Sequence, residues 1–172
     1  YDIVKLRDKT GHPPERRRAI ELTIDTLSGF ELIEATDTYI ELTNLIEAEK
    51  VDIRKSTLRI RLVALSMHSD AINAITQDND DLAQRVVSRD DEVDKLFSMV
   101  TRHFRRSLQD LREVKKLGVS RDLLFEYYYV CRQFERIADH SVKMARFVSE
   151  TDTEIPSSLV DQFEQYGDTV YS

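Results

Sequence analysis

The chain is poor in residues that interrupt or cross-link a fold: of 172 residues only four are glycine, three proline and one cysteine. So few breakers exclude a loop-rich or all-β design and favour long helices. A single cysteine, Cys131, cannot form an internal disulfide, which excludes a small disulfide scaffold and leads us to expect a cytoplasmic protein. No stretch approaches the ~18 apolar residues of a membrane span, and no charged start with an apolar middle reads as a secretory leader. Positive charge is in deficit too: 25 Lys and Arg against 32 Asp and Glu leave −7. That balance opposes contact with phosphate backbones and anionic membranes, so this segment is expected to touch no nucleic acid, and Arg16-Arg17-Arg18 is the one basic run.

Catalytic signatures are missing as well. There is no Gly-rich phosphate loop, no Gly-x-Ser-x-Gly elbow and no Cys-x-x-Cys pair. Di-iron bundles use a Glu-x-x-His spacing, but His140 stands five after Glu135 and one after Asp139. The Asp139-His140 order is also the reverse of the His-Asp pair of HD phosphohydrolases, which add further histidines. His12, His68, His103 and His140 are scattered and are expected to be surface or packing residues, except that His140, beside Asp139, could serve as a ligand. Cys131, between Val130 and Phe134 in a helical pattern, reads as a small buried apolar residue. An enzyme is not expected.

What is present is organised in two styles. Residues 1–50 alternate: a strand-like Tyr1–Leu6, a breaker at Gly11-His12-Pro13-Pro14, a helix over Glu15–Ser28 closed by Gly29, then β-rich Phe30–Glu34 and Thr38–Leu42 around Ala35-Thr36-Asp37. This is a small β-α-β-β unit with a thin core. From about Asp52 the period is helical. Residues 51–150 read as an up-down-up three-helix bundle: a first helix over Ile53–Thr76 with Leu58, Leu62, Leu65 and Ile72 as its apolar stripe; a second, capped by Asn79 or Asp80, with Leu82, Val86, Val93, Phe97, Val100, Phe104, Leu108 and Leu111; a turn at Gly118; and a third, capped by Ser120, with Leu124, Tyr127, Cys131, Phe134, Ser141, Ala145 and Val148. Thr151-Asp152-Thr153 breaks the last helix, and in residues 151–172 the stripe Leu159, Phe163, Tyr166, Val170 opens a further one. The chain starts at Tyr1 rather than methionine and its last stripe has no stop signal, so sequence beyond both ends is expected. The fold class is thus mostly α, a β-α-β-β unit followed by a three-helix bundle and an additional C-terminal helix.

The most telling feature is acidic. Asp90 with Asp94, and Glu135 with Asp139, lie four positions apart on helices expected to be neighbours. Such spacing stacks like charges on one face, at a cost of roughly 0.2–0.5 kcal/mol per pair in an isolated helix. They either pair with Arg89, Arg132 and Arg136 on a solvated face or hold a cation, for which carboxylate oxygens suit hard or borderline ions. If the turn centres on Gly118, the two motifs stand about seven residues out of level, roughly 10 Å.

At these residues the chain resembles the phosphate-uptake regulator (PhoU) family. Arg89-Asp90-Asp91-Glu92-Val93-Asp94 is similar to that family's R-D-x-x-V-D pattern, and Glu135-Arg136-Ile137-Ala138-Asp139-His140 to its E-R-I-x-D-H pattern. The likeness covers one repeat, about Asp52 to Glu150, and residues 1–45 resemble the α/β segment of archaeal members, whose AbrB-like DNA-binding domain is not in this chain. The resemblance implies a regulator of phosphate homeostasis, usually repressing, that acts on a phosphate transporter, on a sensor or regulator protein, or on transcription. It implies metal ligands at Asp90, Asp94, Glu135 and Asp139, with iron or zinc as the ion, and a homodimer in place of the missing second repeat. The rival expectation is a purely structural, oligomerising helical module.

Overall fold

The structure is a computed structural model and describes residues 3–26, 29–45, 51–150 and 156–171. Its N-terminal unit comprises β1 (Ile3–Arg7), α1 (Pro14–Thr26), β2 (Phe30–Ala35) and β3 (Tyr39–Asn44). The last strand sits in the middle of the sheet, antiparallel to both others in the order β1-β3-β2. Alternation along β3 turns Ile40 and Leu42 inward, 3% and 4% exposed. β2 carries a bulge: Leu32 pairs with Leu42 and Glu34 with Glu41, leaving Ile33 as the extra residue, 55% exposed. Two arginines of the basic run serve local structure. Arg16 pairs with Asp8, and Arg17 pairs with Asp37 at 2.5 Å and donates to the His12 carbonyl at 3.1 Å, tying α1 to the loops at the sheet's end.

The bundle consists of α2 (Ile53–Thr76), α3 (Asp80–Gln109) and α5 (Arg121–Glu150), each packed on the other two. The expected caps are in place, Asn79 accepting from the Leu82 amide at 3.0 Å and Ser120 from Leu123 at 3.1 Å, and Asp52 caps α2 by accepting from Lys55 at 2.9 Å. Val86, Val93 and Val100 on α3, and Leu124, Cys131, Ala138 and Ala145 on α5, are fully buried at seven-residue intervals, the seam of a bundle with near-parallel axes. Cys131 is buried as expected and donates to Thr57 Oγ1 at 3.4 Å, while burial pushes its thiol pKa up.

Three expectations need correction. Leu58 and Leu62 do not belong to the α2 core stripe; they are 46% and 62% exposed, and the buried face runs through Ile53, Thr57, Ile60, Ala64, Met67, Ala71 and Ala74. The small alanines on that face allow close helix approach, so packing prefers it over the leucine edge. Leu108 and Leu111 are 56% and 66% exposed, and the second helix stops at Gln109, so Leu111 does not continue its stripe. Asp110 both ends α3 and caps a separate short helix, α4 (Leu111–Leu117), which Gly118 closes at φ 67°. The turn is therefore a helix-bearing bend centred near Lys115, midway between Gln109 and Arg121. A last helix, α6 (Ser157–Tyr171), leans on α2, with the Tyr166 ring edge-on to His68 at 6.2 Å. The expected break at Thr151-Asp152-Thr153 and the first residues of the expected opening strand, Tyr1 and Asp2, lie outside the described residues.

Candidate functional site

With the bend centred on Lys115, antiparallel α3 and α5 bring Asp94 level with Glu135 and Asp90 level with Asp139, to within about one residue or ~1.5 Å of rise. The offset of seven residues anticipated from a turn at Gly118 does not occur. The two acidic motifs face one another across the groove between these helices.

Their electrostatics show it. The Asp90 carboxyl is pushed up from its ordinary 3.8 to about 6, first by partial burial and then by repulsion from Asp94, Asp139 and Asp91, against a weaker pull from Arg146. Asp94 is raised by partial burial and then by Asp139 and Asp91. Glu135 is raised by partial burial and then by Asp139 and Asp94, with Arg132 opposing and Asp90 adding to the rise. Repulsion of this kind requires the groups to sense one another between helices. All four sequence-expected residues thus share one surface.

The neighbouring charges turn elsewhere. Val93 faces the core, fully buried, and this fixes the rotation of α3. On the α2 side Arg89 pairs with Asp70 and donates to Ser66 Oγ at 3.1 Å, while Glu92 accepts from Arg59 at 2.7 Å. Arg89 is therefore spent on α2 and does not neutralise Asp90. Among the described residues, none of Asp90, Asp94, Glu135 and Asp139 forms an ion pair, and His140, beside Asp139, is exposed.

Four carboxylates of this kind form a hard, oxygen-only donor set that suits a divalent or trivalent cation by charge and ligand type. As they stand, however, no three His, Cys, Asp or Glu side chains among the described residues are gathered into a ligating group. An ion bridging α3 and α5 would have to draw these mutually repelling carboxylates together.

One buried polar pair escaped sequence reasoning. His103, fully buried on α3, meets Glu113 of α4, 4% exposed, at 2.5 Å from Nδ1 to Oε1, and Arg106 approaches the other carboxylate oxygen at 3.5 Å. Burial lowers the His103 pKa, with Glu113 working in the opposite direction. This contact fastens α4 to α3 and so holds the bend that levels the acidic motifs. Its sequence signal was Asp110 followed three residues later by Glu113, the pattern of a helix start.

No helix among the described residues is long and apolar enough to cross a membrane. No curated protein and no solved structure matches the chain. The sequence profile described as the PhoU domain matches residues 57–148, from the second turn of α2 almost to the end of α5. That match spans more than half of the chain and includes both acidic motifs, and the chain belongs to the PhoU domain family.

Proposed function

We propose that this protein regulates phosphate uptake and phosphate homeostasis by recognising a partner, with no bond made or broken, and that the acidic face of α3 and α5 is the recognising surface. The supporting observation is the confrontation of Asp90 and Asp94 with Glu135 and Asp139, partly buried and without ion pairs of their own, with the carboxyls of Asp90, Asp94 and Glu135 raised in pKa. Family membership supplies the phosphate context.

Asp90 and Asp94 from one helix and Glu135 and Asp139 from the other would hold the ion, iron or zinc in this reading. Bound there, it supplies positive charge that offsets their repulsion and orders the face. The same residues without an ion present a negative surface to a basic patch on a phosphate transporter or on a sensor or regulator protein. Residues 51–150 form the sensing bundle in this scheme, residues 1–50 link it to an output, and residues 151–172 begin a further helix. In an archaeal-type arrangement that output is an upstream AbrB-like DNA-binding domain, and a homodimer completes the surface that a second repeat would otherwise provide.

The test replaces Asp94 and Asp139 by Asn together. Protein purified without chelator is analysed for transition metals, and its affinity for the transporter-associated partner is measured. The reading expects metal content and affinity to fall together; wild-type values for both would leave the acidic face without a role. Exposed Leu58 and Leu62 on α2 and Phe125 and Tyr129 on α5 favour the alternative of an oligomerising module with no metal role. Such a module would contain no stoichiometric metal to begin with.

A further inference from the structure

A second concave surface lies on the same helix, at the opposite end from Asp90. Ser98, Thr101, Arg102, Arg105, Arg106 and Gln109 follow one another at helical spacing along one face of α3 and line a cleft of about 780 Å³. Asp110 and Glu113 close it at the α4 end, and the Arg102 guanidinium carbon stands 5.4 Å from the ring centroid of Phe30 on β2.

Three guanidiniums converge here in a chain of net charge −7. The two carboxylates of the cleft have partners already: Asp110 binds Arg112 at 3.1 Å, and Glu113 binds His103 and Arg106. Arg105 is exposed to solvent at the cleft. One turn earlier, Thr101 Oγ1 is buried and makes no hydrogen bond among the described residues. A buried hydroxyl in that condition costs free energy unless something accepts from it or donates to it. Planar guanidinium forks beside hydroxyl donors match the several acceptor oxygens of a phosphoryl group. The volume leaves room for an oxyanion alone or for a small molecule that carries one.

From these observations we infer that the cleft along α3 between Ser98 and Glu113 binds a phosphoryl oxyanion, either free phosphate or the phosphate end of a small metabolite, with Arg102, Arg105 and Arg106 as its cationic wall and Thr101 as a hydroxyl donor. The inference deepens the reading above by giving a phosphate-homeostasis protein a place to sense phosphate directly. It occupies other residues than the acidic face. The helix that carries Asp90 and Asp94 also carries the cleft, so a ligand in the cleft and a partner on the acidic face would act on one rigid rod.

The full chain in phosphate-free buffer is titrated with inorganic phosphate, with AMP, and with chloride at matched ionic strength, by calorimetry and by amide chemical shifts. Saturable binding of inorganic phosphate assigns the free ion, and binding of AMP alone assigns a phosphorylated metabolite. Arg105→Gln should weaken whichever binds by about tenfold. Thr101→Val should weaken it severalfold while leaving the melting temperature of the unliganded protein the same or higher, since the hydroxyl it removes has no partner. No saturation by either phosphate compound up to about 10 mM, or affinity unchanged in both variants, overturns the inference. The metal content of the Asp94→Asn, Asp139→Asn protein reports on the acidic face independently, so either idea can fail alone.

Discussion

Replacing Asp90 by Asn tests whether the carboxylates of α3 and α5 work against the fold. Asp90 is held near pKa 6 against an ordinary 3.8, so the folded state keeps its proton to higher pH than the unfolded chain does. A carboxyl raised in this way costs nothing below about pH 4, costs progressively more between about 4 and 6, and exacts its full penalty above that; stability falls as pH rises through the window. If fully expressed the displacement corresponds to about 3 kcal/mol. Asp90 remains partly open to solvent, whose screening reduces this to about 1 kcal/mol. Without metal, then, Asp90→Asn should raise the melting temperature at pH 7.5 by about 2–4 °C in a chain of this size. At pH 4, where the native carboxyl is already protonated, the two proteins should melt together. Thermal unfolding followed by circular dichroism, with chelator present, gives both numbers. A variant less stable than wild type at pH 7.5, or a gain equally large at pH 4, would refute the reasoning, because it would mean that Asp90 makes a structural contact rather than suffering repulsion.

The rest of the molecule is open to similar tests. Truncating the buried pair by Glu113→Ala should cost about 3 kcal/mol in urea unfolding, because His103 is left buried without its partner; a loss under about 1 kcal/mol would remove the pair from its role in the bend. At Gly118, φ is 67° and an added Cβ would meet nothing within 4 Å, so Gly118→Val should cost about 1–2 kcal/mol from backbone conformation alone and Gly118→Asn clearly less. Equal losses would point to packing. On α2, Leu62→Gln should stay within about 0.5 kcal/mol of wild type, whereas Ile60→Ala, at a site with no exposure, should cost about 2–5 kcal/mol. The reverse order would return Leu62 to the core.

Much of this architecture was legible because its signals are local. Asn79 and Ser120 announce their helices by offering an oxygen to an amide three positions on. The α5 stripe is readable from Leu124 to Val148 because its apolar residues keep helical spacing over the whole length, even though Phe125, Tyr129 and Phe147 are exposed beside it. On α2 two apolar edges compete, and hydrophobicity by itself favours the one with leucines. What selects the other is the thinness of Ala64, Ala71 and Ala74, a property that matters only when a second helix approaches. The level of the acidic motifs was lost for a related reason: Gly118 is the obvious breaker, while Asp110 ends α3 with an ordinary charged residue whose capping pattern with Glu113 is visible once sought. The arginine cleft left a trace in sequence as Arg102, Arg105 and Arg106, but concavity depends on α4 lying alongside, which no spacing rule supplies.

The seven-residue helix between Gln109 and Arg121 works as a gauge block between two sliding scales. Inserting or removing a residue there would move the graduations of one rod past those of the other and rotate its contact face by about 100°. Surface connections ordinarily tolerate changes of length more readily than of fold; this one should accept new side chains on its wet side and refuse new spacing. Its span, more than its composition, is what keeps the two halves of the molecule in calibration.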